Sequence, residues 1–204
     1  MVELEHIYPY FEYASLILSL IFITKYKAYY FYKYFILYLC SIVVFGYLSG
    51  TVFYGNGRAV LNIFTFFEFN FLALIYFNLL KDKKALRLVK ILILTFNIIY
   101  FSSFYFSALE SYTVVVEGMV NMVFVVLYFK ELLNSEKILN YKKLLPFWIS
   151  VGFLIFYLSS IPFFTLLYTN LIDNKIMFPI LFSLIIVFHL CFIYGLVTCK
   201  KMEA

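Results

Sequence analysis

Four ionisable residues, Glu12, Glu68, Glu117 and His189, sit inside long apolar stretches of a chain that is otherwise poor in charge. A carboxyl group can take up and release a proton or hold a cation, and a neutral imidazole can accept a hydrogen bond or pass a proton on. Amides accompany them. Asn62 and Asn70 flank Glu68, Asn97 lies in the next apolar stretch, and Asn121 follows Glu117 at the (i, i+4) spacing that puts both on one helix face. Such groups are costly within a membrane, so each either serves a ligand or a proton or is satisfied by a neighbouring helix. On the first reading Glu68, Glu117, Asn121, Asn97, His189 and Glu12 form a polar cleft in the middle and outer half of a bundle, able to meet a small ligand or relay protons. On the second they tie helices together, with His189 pairing with Glu68.

The elements that must hold these residues follow from composition. Hydrophobic residues are 65% of the chain and charged residues 13%, against about 45–50% and about 25% in an average soluble domain. No water-soluble fold covers that much apolar surface. Seven stretches reach the roughly 20 apolar residues that a spanning helix needs, near 8–24, 34–54, 59–80, 88–107, 112–132, 146–168 and 177–198. Barrel strands are excluded, because they span in about 9–11 residues of alternating polarity. The expected fold class is therefore all-α, one integral membrane bundle of seven helices over 1–204. Glu68 and His189 then lie about halfway across and Glu12 and Glu117 in the outer half. Pro9, Pro146 and Pro179 are expected at helix starts, where the missing N–H costs nothing. Pro162 falls inside a helix, where it should free the carbonyl of Leu158 beside Ser159 and Ser160.

Orientation follows from the basic residues. Lys25, Lys27 and Lys33, then Lys81, Lys83, Lys84, Arg87 and Lys90, then Lys130, Lys137, Lys142 and Lys143, then Lys200 and Lys201 fall on one side of the alternating segments. The other side holds Arg58 and Lys175, with Glu3, Glu5, Glu110 and Asp173. The positive-inside rule then predicts the N-terminus outside and the C-terminus in the cytoplasm. The acidic start Met1-Val2-Glu3-Leu4-Glu5 lacks the basic region of a cleavable signal peptide, so the first segment is expected to stay.

Several functions fail on inventory. The net charge of +5 forms no stripe with interleaved aromatics, so nucleic acid is not an expected partner. Cys40, Cys191 and Cys199 show no CxxC spacing, and with His6 and His189 as the two histidines there is no H-E-x-x-H; neither metal nor cofactor is expected. There is no G-x-S-x-G elbow, no mid-helix lysine in the last segment for a retinal Schiff base, and only one interrupted segment where broken-helix transporters carry two. Gly46 and Gly50 form a GxxxG in the second segment, suited to close helix approach within the chain or in a homo-oligomer; Gly118 and Gly152 read the same way. Trp148 is expected to anchor at the cytoplasmic interface.

The stretch from Glu117 through the basic Lys130–Lys143 loop to Pro146-Phe147-Trp148-Ile149-Ser150-Val151-Gly152 and on to Phe164 resembles a group of small bacterial seven-helix membrane proteins. That group is similar to the membrane sensor regions joined to, or encoded beside, histidine kinases. The resemblance implies a sensor or receptor-like bundle that binds a small or lipidic ligand and signals to a separate cytoplasmic partner, since the chain reaches Ala204 without a kinase. A small permease or proton-coupled channel using Glu68 and His189 is the alternative. A lipid-modifying enzyme with Glu68 or Glu117 as general base is a third.

Overall fold

The computed structural model describes residues 2–51, 57–106, 112–169 and 174–199, without the side chains at 2, 3, 50, 57–59, 167–169 and 174–176. Among the described residues all regular structure is helical: α1 (Val2–Ile21), the single turn α2 (Ile23–Tyr26), α3 (Tyr30–Thr51), α4 (Gly57–Leu79), α5 (Lys83–Ser103), α6 (Thr113–Leu133), a 3₁₀ segment (Glu136–Lys143), α7 (Leu145–Thr169) and α8 (Asn174–Thr198). Six of them, α3 to α8, are long and apolar enough to cross a membrane. The twenty residues of α1 include Glu3, Glu5 and Glu12. The side chains of Glu3, Arg58 and Lys175, and residues Glu110, Asp173, Lys200 and Lys201, lie outside the description.

Local chemistry sets the helix ends. The helix α5 starts at Lys83, five residues before the expected 88, because the Asp82 carboxylate accepts from the backbone N–H groups of Lys84 and Ala85. The turn ahead of it is held in turn by Glu131 of α6, which accepts from the N–H groups of Lys81 and Asp82 at 2.9–3.2 Å. Lys83, Lys84, Arg87 and Lys90 therefore occupy the first turns of the helix instead of a loop. Their long stems let the charges reach water from there. At the other end of the chain order, α1 begins near Val2 and α8 at Asn174, so Pro9 and Pro179 lie inside helices, contrary to the expected helix starts. Glu5 in the first turn of α1 favours that early start through the helix dipole. Pro146 is the second residue of α7, and Pro162 is internal, as the pattern indicates.

The helices close into a ring. Each of α1, α3, α4, α6, α7 and α8 packs on the next, and α8 returns to α1. The remaining long helix, α5, packs from outside on α4 and α6. Its Ile91, Leu94, Ile98 and Phe101 are exposed, an apolar face fitted to lipid. Tyr8 stacks on Phe182 at 4.8 Å, Ser15 bonds to His189, and the Tyr26 hydroxyl reaches the carbonyls of Leu196 and Cys199. The chain from α1 into α2 thus runs parallel to α8 in one register over its whole length.

Those contacts also mark one end of the bundle. Lys25 donates to the Leu196 carbonyl, Trp148 Nε1 donates to the Lys142 carbonyl at 2.9 Å, and the Cys199 thiol lies 3.8 Å from the same carbonyl. With the Lys81–Asp82 turn held by Glu131, the described basic residues of three connections share this end. Burial pushes the Cys199 thiol up to about 11, which leaves it an unreactive apolar filler.

The tightest helix crossing is not at the GxxxG. Gly46 is exposed, and a Cβ placed on it would meet nothing nearer than the Glu12 carboxylate at 4.0 Å. Gly50 is outside the side-chain description. The close approach is instead between α7 and α8. A Cβ on Gly195 would lie 2.7 Å from Trp148 Cβ, and one on Gly152 would lie 3.0 Å from the Phe192 ring and 3.2 Å from the Phe188 carbonyl oxygen. Aromatic packing fills the rest, with Phe153 meeting Phe188 and Phe192 at 5.3–5.4 Å and Phe69 stacked on Phe96 of α5 at 3.8 Å.

Candidate ligand cavity

The six-helix ring encloses a cavity of about 210 Å³. It is lined by the first halves of α4 and α6, the second half of α7, and the middle of α1, α3 and α8. This places it from the centre of the bundle toward the end opposite the basic residues. Glu12, Glu68, Glu117 and His189 all line it, each from a different helix. The walls between them are apolar and aromatic, including Ile42, Leu61, Phe64, Val114, Phe156, Ile161, Phe164, Leu181 and Phe188. No lysine or arginine is among the described lining residues.

The polar groups are wired to one another in a definite direction. One oxygen of Glu68 accepts from the Tyr157 hydroxyl at 3.0 Å and from the Tyr38 hydroxyl at 3.4 Å. The Tyr157 oxygen also accepts from Asn121 Nδ2 at 3.0 Å, and the same amide donates to one oxygen of Glu117 at 3.3 Å. Glu68 of α4 and Glu117 of α6 are thus bridged through Tyr157 of α7 and Asn121. Asn121 Oδ1 is enclosed without a partner among the described residues. On the other side of the cavity the Ser15 hydroxyl donates its single proton to the Glu12 carbonyl at 2.9 Å and lies 2.8 Å from His189 Nδ1. With the serine proton on that carbonyl, the tautomer assigned to His189 is the one in which Nδ1–H donates to Ser15 and Nε2 is the lone-pair acceptor.

The sequence candidates separate cleanly. Glu12, Glu68, Glu117 and His189 come together at the cavity, and Asn121 stands directly behind it. Asn97 does not reach it. That residue belongs to α5, outside the ring, where its amide pairs with Asn70 at 3.4–3.5 Å while each Nδ2 also bonds its own helix. Asn62 lends its carbonyl to the Tyr100 hydroxyl at 3.0 Å. These asparagines join α4 to α5. His189 pairs with Ser15 in place of the Glu68 partner suggested by the bland reading, because Glu68 is already held by the two tyrosines.

Tyr38, Tyr157 and Ser15 are the site residues that sequence reasoning missed. The chain has 20 tyrosines, and nothing in the composition sets these two apart. Ser15 carried a signal, being three residues after Glu12 and so on the same helix face. Among the described residues no three His, Cys, Asp or Glu side chains are grouped as a metal-binding set. No protein-family model, curated protein or solved structure matches the chain.

Proposed function

We propose that the chain is a seven-span membrane sensor of the bacterial inner membrane, with its N-terminus outside and its C-terminus in the cytoplasm. It binds a small or lipidic ligand in the carboxylate-lined cavity from the outer side and signals through the basic end to a cytoplasmic partner. The observation that carries this reading is the convergence of Glu12, Glu68, Glu117 and His189, from four helices, on one apolar-walled cavity. Groups so costly to bury are brought together at one place, whereas helix glue would leave them dispersed. A ligand there touches all six helices of the ring, so its binding energy can act on helix packing that extends to the basic end. The parallel register of α1 with α8 favours α1 as the seventh span, since helices lying side by side over the same length cross the same thickness. The basic end faces the cytoplasm by the positive-inside rule.

The test is Glu68→Gln, which keeps shape and hydrogen bonding while removing the charge. It should fold and insert normally yet lose the ligand response, read as signalling output or growth in the native host alongside thermal melting in detergent. A fully active variant of unchanged or higher stability would remove Glu68 from the site. A second reading, a proton-coupled permease, is favoured by the continuous hydrogen-bonded path Asn121–Tyr157–Glu68–Tyr38. It predicts pH-driven flux in liposomes that Tyr157→Phe abolishes.

A further inference from the structure

The hydrogen-bonding capacity of the cavity is one-sided. Every hydroxyl in its lining has its proton committed: Tyr38 and Tyr157 to Glu68, Thr65 to the Leu61 carbonyl at 2.9 Å, and Ser160 toward the Tyr157 carbonyl at 3.5 Å. In the tautomer in which Nδ1 donates, the single imidazole N–H is committed to Ser15. What remains open is a set of acceptors. One oxygen each of Glu68 and Glu117, and Nε2 of His189, have no partner among the described residues, although these side chains are only 8%, 2% and 1% exposed. They are not enclosed by protein, since Asn121 Oδ1 is the one sealed side-chain atom without a partner, and so they border the cavity itself. Glu12, half-buried, adds a carboxylate with no bond of its own among the described residues.

We propose that the ligand is an organic ammonium ion on an apolar body, the size of one aromatic ring with a short alkyl arm. This rests on the reading of the cavity as a ligand site and names the chemistry it takes. Three carboxyl groups line the cavity with no lysine or arginine in its described lining, so a cation that lets them ionise there has to come with the ligand. An ammonium supplies that charge and the N–H donors that the open acceptors need. The rings of Phe64, Phe156 and Phe188 line the cavity and give apolar and aromatic surface for the body of such a cation. A carboxylate or phosphate would find the hydroxyls of the described lining already committed and would be repelled by an ionised Glu68 or Glu117. A bare metal ion is disfavoured because the acceptors are spread around the cavity and form no compact ligand set among the described residues. The volume of about 210 Å³ exceeds the roughly 150 Å³ that holds a benzene.

The chemistry could reach the cavity as a free amine or as the ammonium headgroup of an aminophospholipid, and one experiment separates the two. Binding of 2-phenylethylammonium, 2-phenylethanol and 3-phenylpropanoate is measured by calorimetry on the full chain in nanodiscs of phosphatidylcholine and phosphatidylglycerol. The amine should bind at least tenfold tighter than either near-isostere. Glu68→Gln and Glu117→Gln, checked for folding by thermal melting, should each weaken it at least tenfold, and Glu131→Gln, remote from the cavity, should leave it unchanged. Adding phosphatidylethanolamine to the nanodiscs should leave amine affinity intact if the natural ligand is a free amine, and weaken it at least tenfold if it is the lipid headgroup; both results support an ammonium site and name its source. An alcohol or carboxylate that binds as tightly as the amine, or no amine binding at all, overturns the ammonium assignment. The cavity itself then stands or falls separately on the Glu68→Gln response.

Discussion

At the scale of single residues, Tyr157 holds the site together. Its one phenolic oxygen donates to Glu68 and accepts from Asn121, so it is the joint between the carboxyl groups of α4 and α6. Tyr157→Phe keeps the ring and removes both bonds, leaving a buried amide hydrogen and a buried carboxyl oxygen each short of a partner. The expected cost is about 1–3 kcal/mol, read as a lower melting temperature in detergent; unchanged melting would mean the bridge carries no stability. Ser15→Ala is a smaller lesion. It removes the partner of His189 Nδ1 and frees the ring to turn, so it should cost about 0.6 kcal/mol and alter the histidine resonances in nitrogen NMR. Glu12, Glu68, Glu117 and His189 were legible in the sequence because ionisable groups are rare inside apolar stretches. Tyr38 and Tyr157 were not, because their value comes from what stands opposite them across a helix interface. Asn97 was assigned to the cleft for the same reason in reverse: depth along a helix can be read from sequence, but the side of the ring cannot.

At the scale of elements, glycine position decides which helices can approach. The GxxxG of α3 is the stronger sequence signal, yet Gly46 faces open space beside Glu12, while Gly195, without a motif, lies against Trp148. Whether a glycine is needed depends on what the opposing helix places there, and Trp148 is unusual in bringing its Cβ so near. Gly195→Ala should therefore destabilise by about 1–3 kcal/mol through overpacking, whereas Gly46→Ala should be neutral or slightly stabilising. Thermal melting of the two variants side by side checks this, and equal melting would contradict the assigned crossing. The helix starts teach a related lesson. Apolar runs located every long helix, but α5 begins where Asp82 caps it and not where hydropathy rises, so several lysines counted as loop are helical. Asp82→Ala should cost about 1 kcal/mol.

At the scale of the whole molecule, the ring gathers nearly all of the described charged side chains in two places. The basic residues collect at one end, and the buried acidic residues surround the cavity toward the other. Helical class and the six apolar spans follow from the long continuous apolar runs, since only helices and closed barrels satisfy the backbone in lipid and barrel strands are shorter and alternate in polarity. The place of α5 outside the ring does not, because its apolar content matches that of its neighbours. Topology is checked by single cysteines in a background lacking Cys40, Cys191 and Cys199. Positions Gly57 and Asn174 should label from outside intact cells, and Asp82 and Asn140 only after permeabilisation. Labelling at Asp82 in intact cells would reverse the orientation and put the cavity toward the cytoplasm. The central claim, that the cavity is a ligand site, is tested most directly by an experimental structure of the protein purified from its native membrane without added ligand. The account predicts non-protein density in contact with Glu68, Glu117 and Nε2 of His189; a collapsed cavity, or one holding only ordered water, would contradict it.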